Sequence, residues 1–498
     1  MQGTLLANPH SDAIHPSASA MMIEETRREV LKMFNADPKH FDIVFTANAT
    51  ASIKLVAEGF SGNEEGFDYY YHLNSHTSLV GVRELATNHQ CLMSRESVNS
   101  WLAGPIRGSN ACNGERPTLF AYPAQSNMNG ERLPLDWPGR LRISSHHPRT
   151  YTLLDAAALV TTTPLDLGNH MLAPDFVALS FYKIFGFPDL GALIVRKASG
   201  HVFDFRRYFG GGTTEMVTCT DNPWVARKQS SLHTRLEDGT VAIRNILALN
   251  CALKTHRFLF GQLEEISKHT SWLANHLFQQ LVNLRHHNGS PMCHFYISAT
   301  SNYSERSTQG ATLAFNIRRS NGSWIGCWHV GAALRGDGIY VRTGSLCNPA
   351  GAAKALGVNL EWMRSAFDEG FRCNTEVDVL RGVPIGMVRA SLGAMSTLED
   401  VEILVDSIKR HYREEKKVKM PELSSLNLGH SDHRPFSCRN DETSFRCISE
   451  DVKNDTAPPS CIPSGGRAML RVHRRFLRSC LYRRRRRSPC GLPSGACK

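Results

Sequence analysis

Residues 176–188 of the sequence read FVALSFYKIFGFP. The apolar run Phe176–Leu179 is typical of a buried strand, and Lys183 follows it among aromatic side chains. An amine in such a place loses its charge more readily through desolvation, which suits imine formation. Taken alone, Lys183 would be an ordinary surface lysine.

A carboxylate follows another apolar run about thirty residues upstream. Asp155 ends the run Tyr151–Leu154, and three alanines follow it at positions 156–158. The carboxyl end of a buried strand is where open α/β sheets bind ligands, and the alanines leave room for a flat ring. The alternative is that Asp155 caps a helix.

The segment FTANAT (45–50) follows a third strand candidate and opens a helix. Small residues at a helix N-terminus expose backbone N–H groups to an anion, which the helix dipole also favours. Alternatively, Asn48 and Thr50 only cap the helix. An imine-forming lysine, a carboxylate and an anion site are the groups that a pyridoxal-phosphate (PLP) enzyme needs.

The composition excludes several other classes of protein. With 498 residues, of which 41% are hydrophobic, the chain is long enough for one large or two ordinary domains. It has no apolar run of eighteen residues and no signal-like start, so we expect a cytoplasmic protein without a membrane span. The 14 cysteines lack paired metal spacing, so we expect reduced thiols and no metal site.

The net charge of +11 lies mostly in the C-terminal segment. From Pro421 onward, 15 basic and 7 acidic residues give +8, which leaves +3 for residues 1–420. The arginine run Arg483–Arg487 fits a nuclear address or an RNA-binding patch, but also a solvated tail or translated non-coding sequence. We expect a disordered tail and do not expect nucleic-acid binding.

Apolar runs alternate with helical stretches up to about Arg413, a pattern that predicts an α/β fold with a large, mostly parallel sheet and a smaller α+β domain. The predicted domains are 1–268, 269–413 and the tail 414–498. The predicted strands are Ile43–Phe45, Thr118–Tyr122, Thr152–Leu154, Phe176–Leu179, Ala192–Val195, Thr312–Ile317, Ile339–Arg342 and Met387–Ser391. The predicted helices include Ala20–Phe34, Glu361–Phe371 and Thr397–His411.

Residues 8–410 resemble the class V aminotransferase and cysteine desulfurase family, and within it most of all the molybdenum cofactor sulfurases. The resemblance implies a PLP-dependent transferase of fold type I. It rests on FTANAT (45–50), AQSNMNG (124–130), LLDAAALV (153–160), LSFYKIFGFP (179–188), YFGGGT (208–213), EDGT (237–240), RTGSLCNP (342–349) and VRASLGAMST (388–397).

The resemblance implies a role for each group around the cofactor ring. Lys183 would hold PLP as a Schiff base, and Asp155 would face the pyridine nitrogen. His76, in NSHT (74–77), would stack on the ring, and Asn127 would donate to the phenolic oxygen. Without the resemblance, His76 would be a polar loop histidine.

The phosphate ligands follow from the same comparison. Ala49, Thr50 and Ser180 match residues that bind the phosphate within one chain. Thr213, in GGGT (210–213), resembles the segment that reaches the phosphate of a neighbouring protomer. A homodimer is therefore expected.

Two further residues match the substrate side of the family's site. Cys347 lies in a loop that contains glycine and proline, where a thiol can be exposed and mobile, and it matches the cysteine that takes sulfur from L-cysteine as a persulfide. Arg389 matches the arginine that binds the amino-acid carboxylate, a role suited to a planar bidentate donor. The alternatives are that Cys347 is an ordinary buried core residue and that Arg389 forms an ion pair at the surface.

The sequence departs from the sulfurase pattern in places. Ser345 and Ala352 stand where sulfurases usually carry cysteine, whereas Tyr182 and Ala158 differ from many desulfurases but are normal for the sulfurase branch. We also expect the family's first strand and its C-terminal molybdenum-cofactor domain to be missing from this chain.

Three hypotheses for function remain open. The first is a PLP-dependent cysteine desulfurase of molybdenum cofactor biosynthesis, with that cofactor or another protein as sulfur acceptor. The second is a class V PLP carbon–sulfur lyase of specialised metabolism, which would not need Cys347. The third is a catalytically inactive paralogue.

Overall fold

The computed structural model describes residues 14–104, 116–372 and 376–414, with side chains from residue 18 onward. The chain divides after Lys419 into two units, and every described residue lies in the first of them. The description below concerns the first unit, because the predicted tail and its arginine run lie outside the described residues.

The N-terminal part of the first unit contains the large sheet and the helices around it. Its helices are α1 (Ile14–Met33), α2 (Ala49–Ser61), α3 (Thr77–Val80), α4 (Arg95–Ala103), α5 (Trp137–Ile143), α6 (Phe181–Phe185), α7 (Leu232–Leu236) and α8 (Ile243–Phe260). Its strands are β1 (Phe41–Thr46), β2 (Asp68–His72), β3 (Asn88–Leu92), β4 (Thr118–Pro123), β5 (Thr150–Asp155), β6 (Phe176–Ser180), β7 (Gly191–Arg196), β8 (Thr214–Thr218) and β9 (Trp224–Arg227).

Seven of these strands form the large sheet, in the order β1-β7-β6-β5-β4-β2-β3. The neighbouring strands β6-β5, β5-β4, β4-β2 and β2-β3 pair in parallel. β7 runs antiparallel to both β6 and β1. The mostly parallel sheet predicted from the sequence is therefore confirmed. Two hydrophobic clusters contain the buried side chains of these strands, because successive strand residues point to opposite faces.

The following part is smaller and of α+β type. Its helices are α9 (Leu263–Val282), α10 (Cys327–Gly336), α11 (Pro349–Leu356), α12 (Leu360–Asp368) and α13 (Leu398–Tyr412). Its strands are β10 (Cys293–Phe295), β11 (Thr312–Arg318), β12 (Trp324–Ile325), β13 (Arg342–Gly344), β14 (Val379–Leu380), β15 (Val383–Pro384) and β16 (Met387–Ser391). The antiparallel order β10-β11-β16-β13 places Arg342 beside Arg389.

The helix predicted to begin at Ala20 begins at Ile14. Two other predicted boundaries were wrong for a shared physical reason. The strand predicted at Ile339–Arg342 begins only at Arg342, because the Ile339 N–H donates to the Leu334 carbonyl at 2.9 Å and ends α10. The helix predicted to reach Phe371 ends at Asp368, and the Phe371 N–H donates to the Ala366 carbonyl at 3.0 Å. A glycine with positive φ, Gly338 or Gly370, reverses the chain after each helix.

Among the described residues, no helix is both long and apolar enough to cross a membrane.

Candidate active site

The candidate lysine and carboxylate lie at the ends of two adjacent parallel strands. β5 ends at Asp155 and β6 at Ser180, and Asp155 pairs in register with Ala178. The short helix α6 starts directly after β6, and Lys183 lies in the middle of it. Both groups therefore lie at the sheet edge where α/β folds bind ligands.

Asp155 and Lys183 differ in exposure. Asp155 is buried, and one of its carboxylate oxygens accepts the Ala157 N–H at 3.0 Å. Lys183 is exposed, although buried Phe181 and Ile184 anchor the helix on either side of it. The desolvation expected for this lysine is therefore not provided by the single chain.

His76 belongs to the same group of charges. Burial lowers its pKa below the ordinary value, nearby Asp155 opposes that shift, and Lys183 adds to it. Its Nδ1 accepts the Ser78 N–H at 3.1 Å and caps α3. The neutral ring therefore carries its proton on Nε2.

The candidate phosphate ligands come together through the antiparallel strand β7. Gly191 pairs with Thr46 on β1 and with Ser180 on β6, so all three lie in one row across the sheet. A Cβ on Gly191 would lie 2.9 Å from the nitrogen of Ala49 and 2.6 Å from Cα of Asn48. The absent side chain therefore lets the α2 N-terminus approach the end of β6 closely.

Hydrogen bonds connect this helix end to the histidine. The Asn48 side chain caps α2 by accepting the Ala51 N–H at 3.0 Å. The Thr50 hydroxyl lies 2.8 Å from the Ser78 hydroxyl, which lies 3.0 Å from Nδ1 of His76. The free N–H groups at the helix end and the adjacent hydroxyls form a donor set that fits a phosphate group.

The cysteine loop contacts the residues expected around the cofactor ring. The Cys347 carbonyl accepts the Thr77 N–H at 3.0 Å, directly after His76. The Leu346 carbonyl accepts from Nδ2 of Asn127 at 2.7 Å. The loop is therefore attached to both segments that the resemblance assigns to the ring, while Cys347 itself stays exposed.

The backbone of this loop is strained. Leu346 and Cys347 both have positive φ angles, 59° and 55°, which are unusual for residues with a Cβ. Each such residue costs about 1–2 kcal/mol. The conformation therefore depends on the contacts that hold it.

Arg389 is part of β16 and lies near Cys347. Its Nη1 donates to the Asn127 carbonyl at 2.7 Å, while its buried Nε has no hydrogen-bond partner among the described residues. Burial lowers the pKa of Arg389, Arg342 lowers it further, and Cys347 opposes the shift. A carboxylate bound here would provide the missing acceptor.

Thr213 lies apart from the other candidates. It is buried, and its hydroxyl donates to the Gly210 carbonyl at 2.7 Å within the same loop. Asp238, from the EDGT motif, packs against Gly210 and pairs with Arg206. No hydrogen bond between Thr213 and the other candidates occurs within the described ranges, so its predicted role toward a neighbouring protomer stays a prediction.

Sequence reasoning missed four residues that hold the site together: Thr77, Ser78, Gly191 and Asn348. Thr77 and Asn348 are neighbours of residues that were predicted, and proximity in sequence was the available signal. The contact of Gly191 with Asn48 joins segments more than a hundred residues apart and gave no sequence signal.

A cavity of about 500 Å³ lies beside the cluster, and its lining includes Asn74, Arg95, Glu131 and Gly351. Neither Lys183 nor Cys347 lines it. Both of these side chains are exposed in the single chain.

Comparison with known proteins places this arrangement in context. Residues 3–404 match the family Aminotransferase class-V. The molybdenum cofactor sulfurase of Chaetomium globosum is 49% identical over 414 residues, which are 83% of this chain and 53% of that protein. That of Neurospora crassa is 50% identical over 425 residues, which are 84% of this chain and 45% of that protein. The chain thus spans about half the length of these curated relatives.

Solved structures support the same fold. The apo cysteine desulfurase from Thermococcus onnurineus NA1 has a TM-score of 0.60 at 21% identity, over 81% of this chain and 87% of that one. The cystine C–S lyase C-DES, solved with its product cysteine persulfide, has a TM-score of 0.58 at 18% identity, over 81% of this chain and 90% of that one. These similarities establish a PLP-dependent transferase fold of type I, with the α/β architecture expected from the sequence.

Proposed function

Because this chain belongs to the class V aminotransferase family, we propose that it is a PLP-dependent cysteine desulfurase that takes sulfur from L-cysteine as a persulfide on Cys347. The observation that carries the proposal is the attachment of the Cys347 loop to Thr77 and Asn127, beside half-buried Arg389. That arrangement brings a thiol, a carboxylate-binding group and the candidate cofactor residues together.

The residues present fit PLP. The α2 N-terminus, Thr50 and Ser180 provide donors for the phosphate, and Gly191 leaves the space in which they converge. Buried Asp155 would hold a proton on the pyridine nitrogen, and neutral His76 would stack on the ring. Bound PLP supplies an electron sink that makes the α-proton of an amino acid acidic.

The chain's own residues would then perform the reaction. Arg389 binds the carboxylate of L-cysteine and thereby fixes its orientation. Lys183 would hold the cofactor covalently, and its ε-amine would move the α-proton of the substrate. The Cys347 thiolate attacks the substrate sulfur, so that an S–S bond forms as the C–S bond breaks. The carbon keeps the electron pair and is protonated to alanine.

A second copy of the chain is part of the proposal. Lys183 is exposed, and so are the large aromatic side chains of its sequence neighbours Tyr182 and Phe187. Exposed aromatic side chains in one region favour a protein interface. A homodimer would cover Lys183 and supply the desolvation that the single chain lacks. Light scattering of the purified protein tests this point.

A sulfur acceptor completes the proposal. The relatives named molybdenum cofactor sulfurases favour the molybdenum cofactor, although this chain covers only 45% to 53% of the two described above. We propose the cytoplasm as the compartment in which the transfer takes place. The alternative acceptor is a thiol of another protein. Transfer of ³⁵S from the labelled persulfide to each acceptor would distinguish the two.

The test of the enzymatic proposal is to incubate the PLP-loaded protein with L-cysteine and measure alanine and persulfide sulfur together. Equal amounts of both in the first turnover, with the added sulfur on the peptide that carries Cys347, support it. Alanine-free release of sulfide and pyruvate would instead identify a carbon–sulfur lyase.

A further inference from the structure

Asn348 follows Cys347 and is completely buried, with 0% of its surface exposed. Its Nδ2 donates to the Asn74 carbonyl at 3.1 Å and to Oδ1 of Asn127 at 3.2 Å. Its Oδ1 accepts the Gly351 N–H at 3.1 Å. An amide side chain has two donors and a carbonyl acceptor, so each donor and the carbonyl oxygen has a partner here.

These contacts exceed what a helix cap needs. Asn348 is the N-cap of α11, and the hydrogen bond from Gly351 alone satisfies that role. The two hydrogen bonds from Nδ2 reach different segments, one before His76 and one at the residue expected to contact the cofactor ring. Asn348 therefore connects the cysteine loop to both sides of the candidate site.

The surrounding backbone is shaped for this amide. A Cβ on Gly351 would lie 2.5 Å from Oδ1 of Asn348 and 3.0 Å from Oδ1 of Asn74. Gly351 is in a helix and has no positive φ, so its small size is explained by this close contact.

The residues that Asn348 holds in place are the strained ones. Leu346 and Cys347 precede it with positive φ angles, and their carbonyls accept from Asn127 and Thr77. Without the Asn348 amide, the loop would lose its attachment immediately after the thiol, and the strained pair would be free to relax.

We propose that Asn348 is a positioning residue, whose side-chain amide holds the Cys347 thiol at the place where it meets the substrate sulfur. This inference rests on the proposed function. It assigns to Asn348 no contact with substrate or cofactor. A displacement of about 1 Å at a reacting atom can reduce a rate about a hundredfold, so holding the loop has kinetic consequences.

Asn348→Asp separates positioning from capping. The carboxylate still accepts the Gly351 N–H, and aspartate is as good an N-cap as asparagine. However, it places an oxygen against the Asn74 carbonyl and Oδ1 of Asn127, where two donors stood. Gly351→Ala displaces the same amide without a change of charge and with a better helix former.

Asn359→Asp is the matched control. Asn359 caps α12 by accepting the Trp362 N–H at 2.8 Å, and no hydrogen bond from its Nδ2 occurs within the described ranges. The same change of residue therefore alters a cap without altering the cysteine loop.

The experiment uses the full-length, PLP-loaded protein and two readouts. In Asn348→Asp and Gly351→Ala, hydrogen exchange of the Thr77 amide should rise about tenfold or more, because the Cys347 carbonyl no longer protects it. The kcat for persulfide formation should fall about 10- to 100-fold, while the KM for L-cysteine and the PLP affinity change less than about twofold. Asn359→Asp should change neither.

Unchanged Thr77 exchange overturns the proposal, as does faster exchange with an undiminished kcat. If the wild type forms no persulfide, the proposed function fails, and the exchange comparison still decides whether Asn348 holds the loop.

Discussion

The Thr77 N–H donates to the Cys347 carbonyl at 3.0 Å, and this bond joins the candidate nucleophile to the residue that follows His76. The two segments are about 270 residues apart in sequence. Their contact explains how a thiol on the smaller α+β part reaches the edge of the large sheet. The proposed mechanism of sulfur transfer depends on this contact.

Lys183→Ala should lose the covalently held cofactor, because imine formation needs the ε-amine and no other lysine lies in a comparable motif. Borohydride reduction followed by peptide mass spectrometry checks this, with the cofactor mass expected on Lys183 in the wild type. Lys197→Ala is the control, since Lys197 is exposed after β7. A visible cofactor band retained in Lys183→Ala would remove this lysine from the mechanism.

Asp155→Asn should still bind PLP but react about a hundredfold or more slowly, because an unprotonated pyridine is a poorer electron sink. The change is isosteric and keeps an oxygen for the Ala157 N–H. Single-turnover loss of the α-deuteron from labelled cysteine measures the affected step. Normal rates would mean that another group protonates the ring.

Arg389→Lys should raise the KM for L-cysteine about tenfold or more and leave PLP affinity nearly unchanged. A lysine keeps the charge but cannot form a bidentate contact with a carboxylate. Arg342→Lys is the matched control, because Arg342 is the exposed register partner of Arg389. Equal kinetics in Arg389→Lys and the wild type would exclude Arg389 from the site.

His72 predicts a specific loss of stability in acid. Burial lowers its pKa to about 3, and Arg95 and Lys354 add to that shift. In the unfolded chain His72 takes up a proton near pH 6.5, whereas in the folded protein it stays neutral down to about pH 3. The folded state therefore keeps its full stability above pH 6.5 and loses stability as the pH falls from 6.5 toward the pKa of the folded state. Within that window, His72 should reduce the free energy of unfolding by about 1.4 kcal/mol per pH unit.

His72→Asn should flatten the pH dependence of unfolding by this amount while keeping an acceptor for the Asn74 N–H. Denaturant melts between pH 4 and 7 measure the slope, and exposed His89→Asn is the control. If His72→Asn keeps the wild-type slope, His72 is not the group that titrates.

The sequence predicted the parts of the site that follow strands. Asp155 and Lys183 could be found because each comes after a buried apolar run, and parallel strands end at one sheet edge. β2 and β3 were missed for opposite reasons. β2 has aromatic residues on both faces and so lacks an alternation of apolar and polar residues. β3 is mostly polar because it is the outermost strand of the sheet.

The long-range contacts could not be predicted. Asn348 reads as a simple helix cap, and its hydrogen bonds to Asn74 and Asn127 exist only in the folded chain. Gly191 likewise reads as the start of a strand. Only its pairing with β1 shows that a side chain at this position would clash with Asn48.

Cys347 is the residue proposed to take the sulfur, and Cys347→Ser removes its thiol with little change in size. The variant should still bind PLP and L-cysteine, because those contacts depend on Lys183, Asp155 and Arg389. Persulfide and alanine formation should fall at least about a thousandfold, since a hydroxyl is far less ionised than a thiol and a poor nucleophile toward sulfur. Exposed Cys251→Ser should behave as the wild type.

The decisive measurement is the rate of alanine and sulfide release by Cys347→Ser from L-cysteine with a thiol reductant present, beside mass spectrometry of the peptide that carries position 347. One added sulfur is expected on that peptide in the wild type, and almost no alanine is expected from the variant. Sulfide release at the wild-type rate by Cys347→Ser would contradict the desulfurase mechanism, because elimination of sulfide by a lyase needs no protein thiol.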